Sequence, residues 1–171
     1  MAKKSEEIVN RVANSALVTF NLEDYYPTEK CVVLDVKDWL FEGYILKEKE
    51  FRAYVNAYDW EQYKDTNVAL FCSTDAIVPG WAYMLVASQL QPFAKQITQG
   101  DLEQLTTVLY QTIITDLDVS DYKDKMVIIK GCSNKPVPPN AYLWLTAKMQ
   151  PVVKSIMYGE ACSSVPLYKR K

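Results

Sequence analysis

Two Cys-Ser pairs hold the thiol chemistry this chain could run. Cys72-Ser73 and Cys132-Ser133 each follow a short apolar run, residues 68–71 in one case and 127–129 in the other, and each precedes a stretch with helical spacing. A loop between the carboxyl end of a buried strand and a helix is the usual ligand crevice of an α/β sheet. Free N–H groups at the helix start favour anions, and a thiol beside them gains nucleophilic character. The same residue types also suit a small, weakly polar strand end, the common role of a free cysteine. Cys162-Ser163 repeats the pair a third time, ahead of Val165-Pro166. Three thiols and Asp75 could gather around a metal. Against that, the chain has no C-x-x-C pair, and positions 72, 132 and 162 match no zinc spacing. No metal and no cofactor are therefore expected.

Asp75 and Lys135 stand in matching loops with opposite charge. They read either as the two sides of an asymmetric pocket or as solvated loop charges. Ser73 and Ser133 read as turn or capping serines. Their position before a helix also resembles that of a phosphorylatable serine in the sulfate-transporter and anti-sigma-antagonist domain, by analogy of place alone. The candidate ligand-binding residues are Cys72, Ser73, Asp75, Cys132, Ser133, Lys135 and Cys162, and no catalytic residue is assigned.

The chain contains no histidine. That removes the commonest general acid/base near neutral pH, and with it any Ser-His-Asp or Cys-His site within the chain. Only five glycines are present and no glycine-rich phosphate loop is visible. A net charge of −2 gives no footprint for a nucleic-acid backbone. No apolar stretch is long enough to span a bilayer, since the longest, around 76–87, is broken by Pro79 and Gly80. No signal peptide is visible, so a cytoplasmic location with four reduced thiols is expected.

The elements that position these residues are written twice. Tyr63-Lys64-Asp65, Val78-Pro79, Ala82-Tyr83, Gln91-Pro92, Lys95, Ile97 and Gly100 recur 59 residues on, from Tyr122 to Gly159, with Cys-Ser in order between them. An internal repeat fixes architecture before propensity does. The apolar runs after Tyr-Lys-Asp lack alternation and read as buried parallel strands. Val-Pro leads into a helix with the stripe Ala82, Leu85, Val86, Leu90 and Phe93, matched by Ala141, Trp144, Leu145, Met149 and Val152. Gln-Pro ends that helix, and a short strand follows through Ile97 or Ile156. A preceding helix is read from Phe51, Tyr54, Val55 and Tyr58, matched by Tyr110, Ile113, Ile114 and Leu117.

Ahead of the repeats, Ser5 caps a short helix over residues 6–13, and residues 16–22 and 31–36 read as the strands of a long-looped hairpin. Residues 39–46 are apolar and read as a further strand, an edge on which two chains could pair. Tyr25, Tyr26, Trp39 and Trp60, which have no repeated partner, are expected on an interface or ligand surface. The expected fold is a single α/β domain: a helix–strand–helix–strand unit, internally duplicated on a mixed sheet, with an N-terminal β-hairpin. Its parts are a hairpin region over 1–41, repeats over 42–100 and 101–159, and a solvated tail over 160–171.

Three segments, KDWLFEGYILKEKEFR (37–52), KGCSNKPVPPNAY (130–142) and KSIMYGEACSSVPLYKR (154–170), resemble a family of short Bacteroidota proteins known only as a domain of unknown function. The resemblance implies a cytoplasmic bacterial protein with no assigned activity and carries over no catalytic residue. Two functions stay open. One is a non-enzymatic binding or regulatory module, expected as a homodimer with an unspecified ligand or protein partner. The other is a thiol-dependent enzyme or metal-thiolate site at the Cys-Ser loops.

Overall fold

The computed structural model describes residues 17–131, 134–160 and 162–171. In chain order these form β1 (Leu17–Phe20), β2 (Cys31–Asp35), α1 (Glu48–Ala57), β3 (Asn67–Phe71), α2 (Gly80–Leu90), β4 (Gln96–Gln99), α3 (Leu102–Asp116), β5 (Met126–Ile129), α4 (Pro139–Met149), β6 (Ser155–Glu160) and β7 (Ser163–Lys169). The α/β class stands. The helix expected over 6–13 lies outside the described residues.

The chain divides into two compact units, Pro27–Ile113 and a terminal unit made of the described part of Met1–Tyr26 with Ile114–Lys171. In the central unit the sheet order is β2-β3-β4, all parallel. In the terminal unit it is β1-β5-β6-β7, with β7 antiparallel to β6. Both strands read from the N-terminal sequence are therefore present, but they do not pair with each other. β1 pairs with β5 and β2 with β3, each in parallel, because the continuous apolar runs of β3 and β5 need a neighbour on both sides. The expected single mixed sheet is likewise two sheets, one of them mixed.

Within each unit a parallel pair is joined by a helix, as parallel strands require. α2 starts after Pro79 and α4 after Pro138, both in extended backbone, and Ala82 N and Ala141 N donate to those prolines' carbonyls at 2.9 Å. Proline is tolerated there because its missing N–H would have no helical partner anyway. The helices stop where Pro92 and Pro151 offer no N–H. Ala82, Val86 and Leu90 are buried in one helix, and Ala141, Leu145 and Met149 in the other. Burying each large side chain contributes about 1.5–3 kcal/mol. The Tyr-Lys-Asp motif has a local cause too. A 3-10 turn ends at Tyr63 or Tyr122, and Asp65 (φ 58°) or Asp124 (φ 57°) then takes the left-handed conformation. Their N–H groups donate to Phe93 O at 3.0 Å and to Val152 O at 3.1 Å, which turns the chain into β3 and β5. Aspartate tolerates that conformation better than most residues.

Trp39 and Trp60 sit in the central core, 7% and 8% exposed, rather than on a surface. Their rings meet edge to face at 5.9 Å, and Trp60 Nε1 donates to Val55 O at 3.0 Å, so each indole is both buried and satisfied. Tyr25 stacks on Phe20 at 5.1 Å. The segment over 160–171, expected as a solvated tail, contains β7. Arg170 fastens it, with Nη1 2.5 Å from Asp124 Oδ1 and Nη2 donating to Pro151 O and Val152 O.

Candidate functional site

The strand expected over 39–46 is a tight turn instead. Phe41 and Ile45 form an isolated antiparallel bridge, and Glu42 (φ 51°) and Gly43 (φ 76°) both have positive φ between them. Tyr44 N and Ile45 N both donate to Phe41 O, at 3.2 and 3.0 Å, so residues 42–44 reverse the chain as a three-residue loop, which positive φ suits better than an extended edge. The turn lifts Tyr44 and Ile45 into solvent.

Beyond the carboxyl ends of β2 and β3 the central unit holds a polar knot. Asp35 Oδ1 accepts from Lys37 N at 3.0 Å and from Ser73 N at 3.1 Å. Burial pushes the Asp35 carboxyl up, but the hydrogen bonds from Ser73 and Lys37 outweigh it and hold the group below the ordinary aspartate range. The Thr74 hydroxyl donates to Gly43 O at 2.8 Å and lies 3.3 Å from Cys72 Sγ. A hydroxyl has one proton to give. With that proton on Gly43, the Cys72 S–H is the donor toward Thr74. The pair therefore ties the 41–45 turn to the Cys-Ser loop. Burial also raises the Tyr83 phenol, and the neighbouring Cys72 and Asp35 add to the shift.

This stitching shapes a cleft of about 670 Å³, lined by Tyr44, Ile45, Leu46, Glu48, Asp75, Ala76, Ile77, Pro79 and Trp81. Its volume is that of a ligand pocket, and its lining is mostly apolar with a few polar groups, the usual make-up of such sites. Ile77 is 92% exposed and Tyr44 62% exposed at its mouth. Glu48 Oε1 accepts from Arg52 Nε at 2.9 Å, and the Arg52 guanidinium lies 5.1 Å from the Trp81 ring centre.

Of the residues singled out from sequence, Cys72, Ser73 and Asp75 come together here, the first two in the knot and the third on the cleft wall. Lys135 and Cys162 belong to the terminal unit. There Glu23 takes the clamping role: Oε1 accepts from Asn134 N and, at 2.7 Å, from Lys135 N, while Lys135 Nζ donates to Glu23 O at 3.1 Å. Lys135 is thus engaged in anchoring its own loop. Cys162 is an exposed thiol at the β6–β7 turn. Cys132 and Ser133 lie outside the described residues.

The matched strands also align Cys72 with a residue that is not a cysteine. Leu70 and Ile129 are matched 59 apart, so the position matching Cys72 is Gly131, not Cys132. A Cβ at Gly131 would come 2.8 Å from Tyr158 Cζ, and the Tyr158 hydroxyl donates to Gly131 O at 3.4 Å. The tyrosine occupies the space a side chain at 131 would need. Asp35, Thr74, Glu23 and Trp81 escaped the sequence reading. Asp35 and the Glu42-Gly43 pair left the only local signals, an acid ending an apolar run and a turn dipeptide.

Among the described residues, no group of three or more Cys, Asp or Glu is placed to hold a metal ion, and no helix is long and apolar enough to cross a membrane. Fold and site together define an α/β protein of two strand–helix–strand units with a solvent-open, mainly apolar cleft. The chain belongs to the family described as Protein of unknown function (DUF2480), whose model matches residues 6–170. No curated protein and no solved structure matches it.

Proposed function

We propose that this protein is a non-enzymatic binding or regulatory module whose ligand seats in the cleft of the central unit. The observation that carries the reading is the exposure of Ile77 and Tyr44 at the mouth of a cavity of ligand size. Large apolar side chains left in water beside a concavity mark a binding surface. The thiol-dependent alternative has weaker support, because the Cys72 thiol is turned onto the Thr74 hydroxyl and is not among the residues that line the cleft. The two units read as copies of one ancestral unit. Their matched turns, helix starts and buried faces support that duplication. A cytoplasmic location in a Bacteroidota cell completes the proposal and rests on the family resemblance.

Native mass spectrometry of freshly purified protein tests the reading. Wild type is expected to carry a bound molecule that the Ile77→Asp variant, folded by circular dichroism, has lost. Equal retention by both proteins would move the site elsewhere.

A further inference from the structure

We infer that the occupant of this cleft is a protein segment presenting apolar side chains together with a lysine or arginine. The inference rests on the cleft being the binding site, and it names the chemistry of the partner. Ile77, Tyr44 and Ile45 line the cleft and are still 92%, 62% and 53% exposed. A small molecule within the concavity would leave them wet, whereas a partner chain laid across the mouth covers them, and covering apolar area is what drives such association.

The charge follows from the carboxylates. Glu48 and Asp75 are the ionisable groups of the lining, and no Lys or Arg lines the cleft. Nearby cations are engaged: Arg52 with Glu48, and Lys47 with Glu50 at 3.6 Å while lying 3.2 Å from the Phe41 ring centre. Asp75 is exposed and has no hydrogen bond or ion pair with any described residue. An uncompensated carboxylate at the rim of an apolar patch selects a cation on the partner and fixes its register.

A random heptapeptide library displayed on phage, selected on the full-length protein, supplies the probe. Selected sequences are expected to combine apolar residues with Lys or Arg. Synthetic copies should lose binding to Ile77→Asp, bind Asp75→Asn about two- to fivefold more weakly, and bind Asp75→Lys more weakly still. Peptides that lose binding to Ile77→Asp but show no basic enrichment and bind Asp75→Lys like wild type would overturn the charge inference and leave the cleft reading standing. Failure to select any peptide would overturn the protein-segment inference and leave the cleft reading to the native mass spectrum, whereas peptides indifferent to Ile77→Asp would overturn both.

Discussion

Replacing Asp35 with alanine tests the knot that shapes the cleft. The carboxylate accepts two backbone N–H groups, from Lys37 and Ser73, at 3.0 and 3.1 Å. A hydrogen bond to a charged group is worth about 1.5–3 kcal/mol, and partial exposure lets water replace some of it. Two such bonds, discounted for a side chain that is 20% exposed, give an expected loss of about 2–3 kcal/mol. Urea unfolding followed by far-ultraviolet circular dichroism measures the loss. The pH dependence fixes its origin. The folded carboxyl titrates below its unfolded value of about 3.9, so its contribution is complete above that value and is lost as pH falls through the folded pKa. The gap between wild type and Asp35→Ala should thus be constant from about pH 7 to 5 and narrow below about pH 4. A loss under about 0.5 kcal/mol, or a gap that widens in acid, refutes the charge-assisted clamp.

Three further outcomes are expected. Gly43→Ala meets open space, so its only cost is the positive φ, about 1 kcal/mol in urea unfolding; an unchanged midpoint would contradict that left-handed backbone. Trp60→Ala should cost about 3–5 kcal/mol by the same assay, since it leaves a cavity beside Trp39 and an unpaired Val55 carbonyl; a cost near 1 kcal/mol would place the indole outside the core. Under native alkylation read by peptide mass mapping, the exposed thiols Cys31 and Cys162 should label first, and the half-buried Cys72, donating to Thr74, well after them; labelling of Cys72 at the rate of Cys162 contradicts that donor assignment.

Secondary structure was largely legible because it is written in local pattern. The unalternating runs at 68–71 and 127–129 became the central strands, and the matched stripes became the buried faces of α2 and α4. Pairing was not legible. β1 finds β5 more than a hundred positions away, and nothing in either segment marks that choice over a local hairpin. β7 escaped because its outward residues are exposed and its sequence resembles a solvated tail. Trp39 and Trp60 were expected at the surface because they lack repeated partners, but the core of one unit is simply more aromatic than that of the other. The site was half visible. The Cys-Ser motif located Cys72, Ser73 and Asp75, while Asp35 clamps their loop from 38 residues away and Glu23 clamps the Lys135 loop from 112. That position 131, the match of Cys72 at the shift of 59, is a glycine was legible in the sequence; the reason was not, because only the fold puts Tyr158 in the space above Gly131.

Hydrogen exchange in the presence of a selected heptapeptide tests the binding role most directly. Slowed exchange is expected over residues 41–46 and 75–81, the two segments that wall the cleft, with the terminal unit unchanged. Protection confined to other segments, or none at saturating peptide, would contradict it.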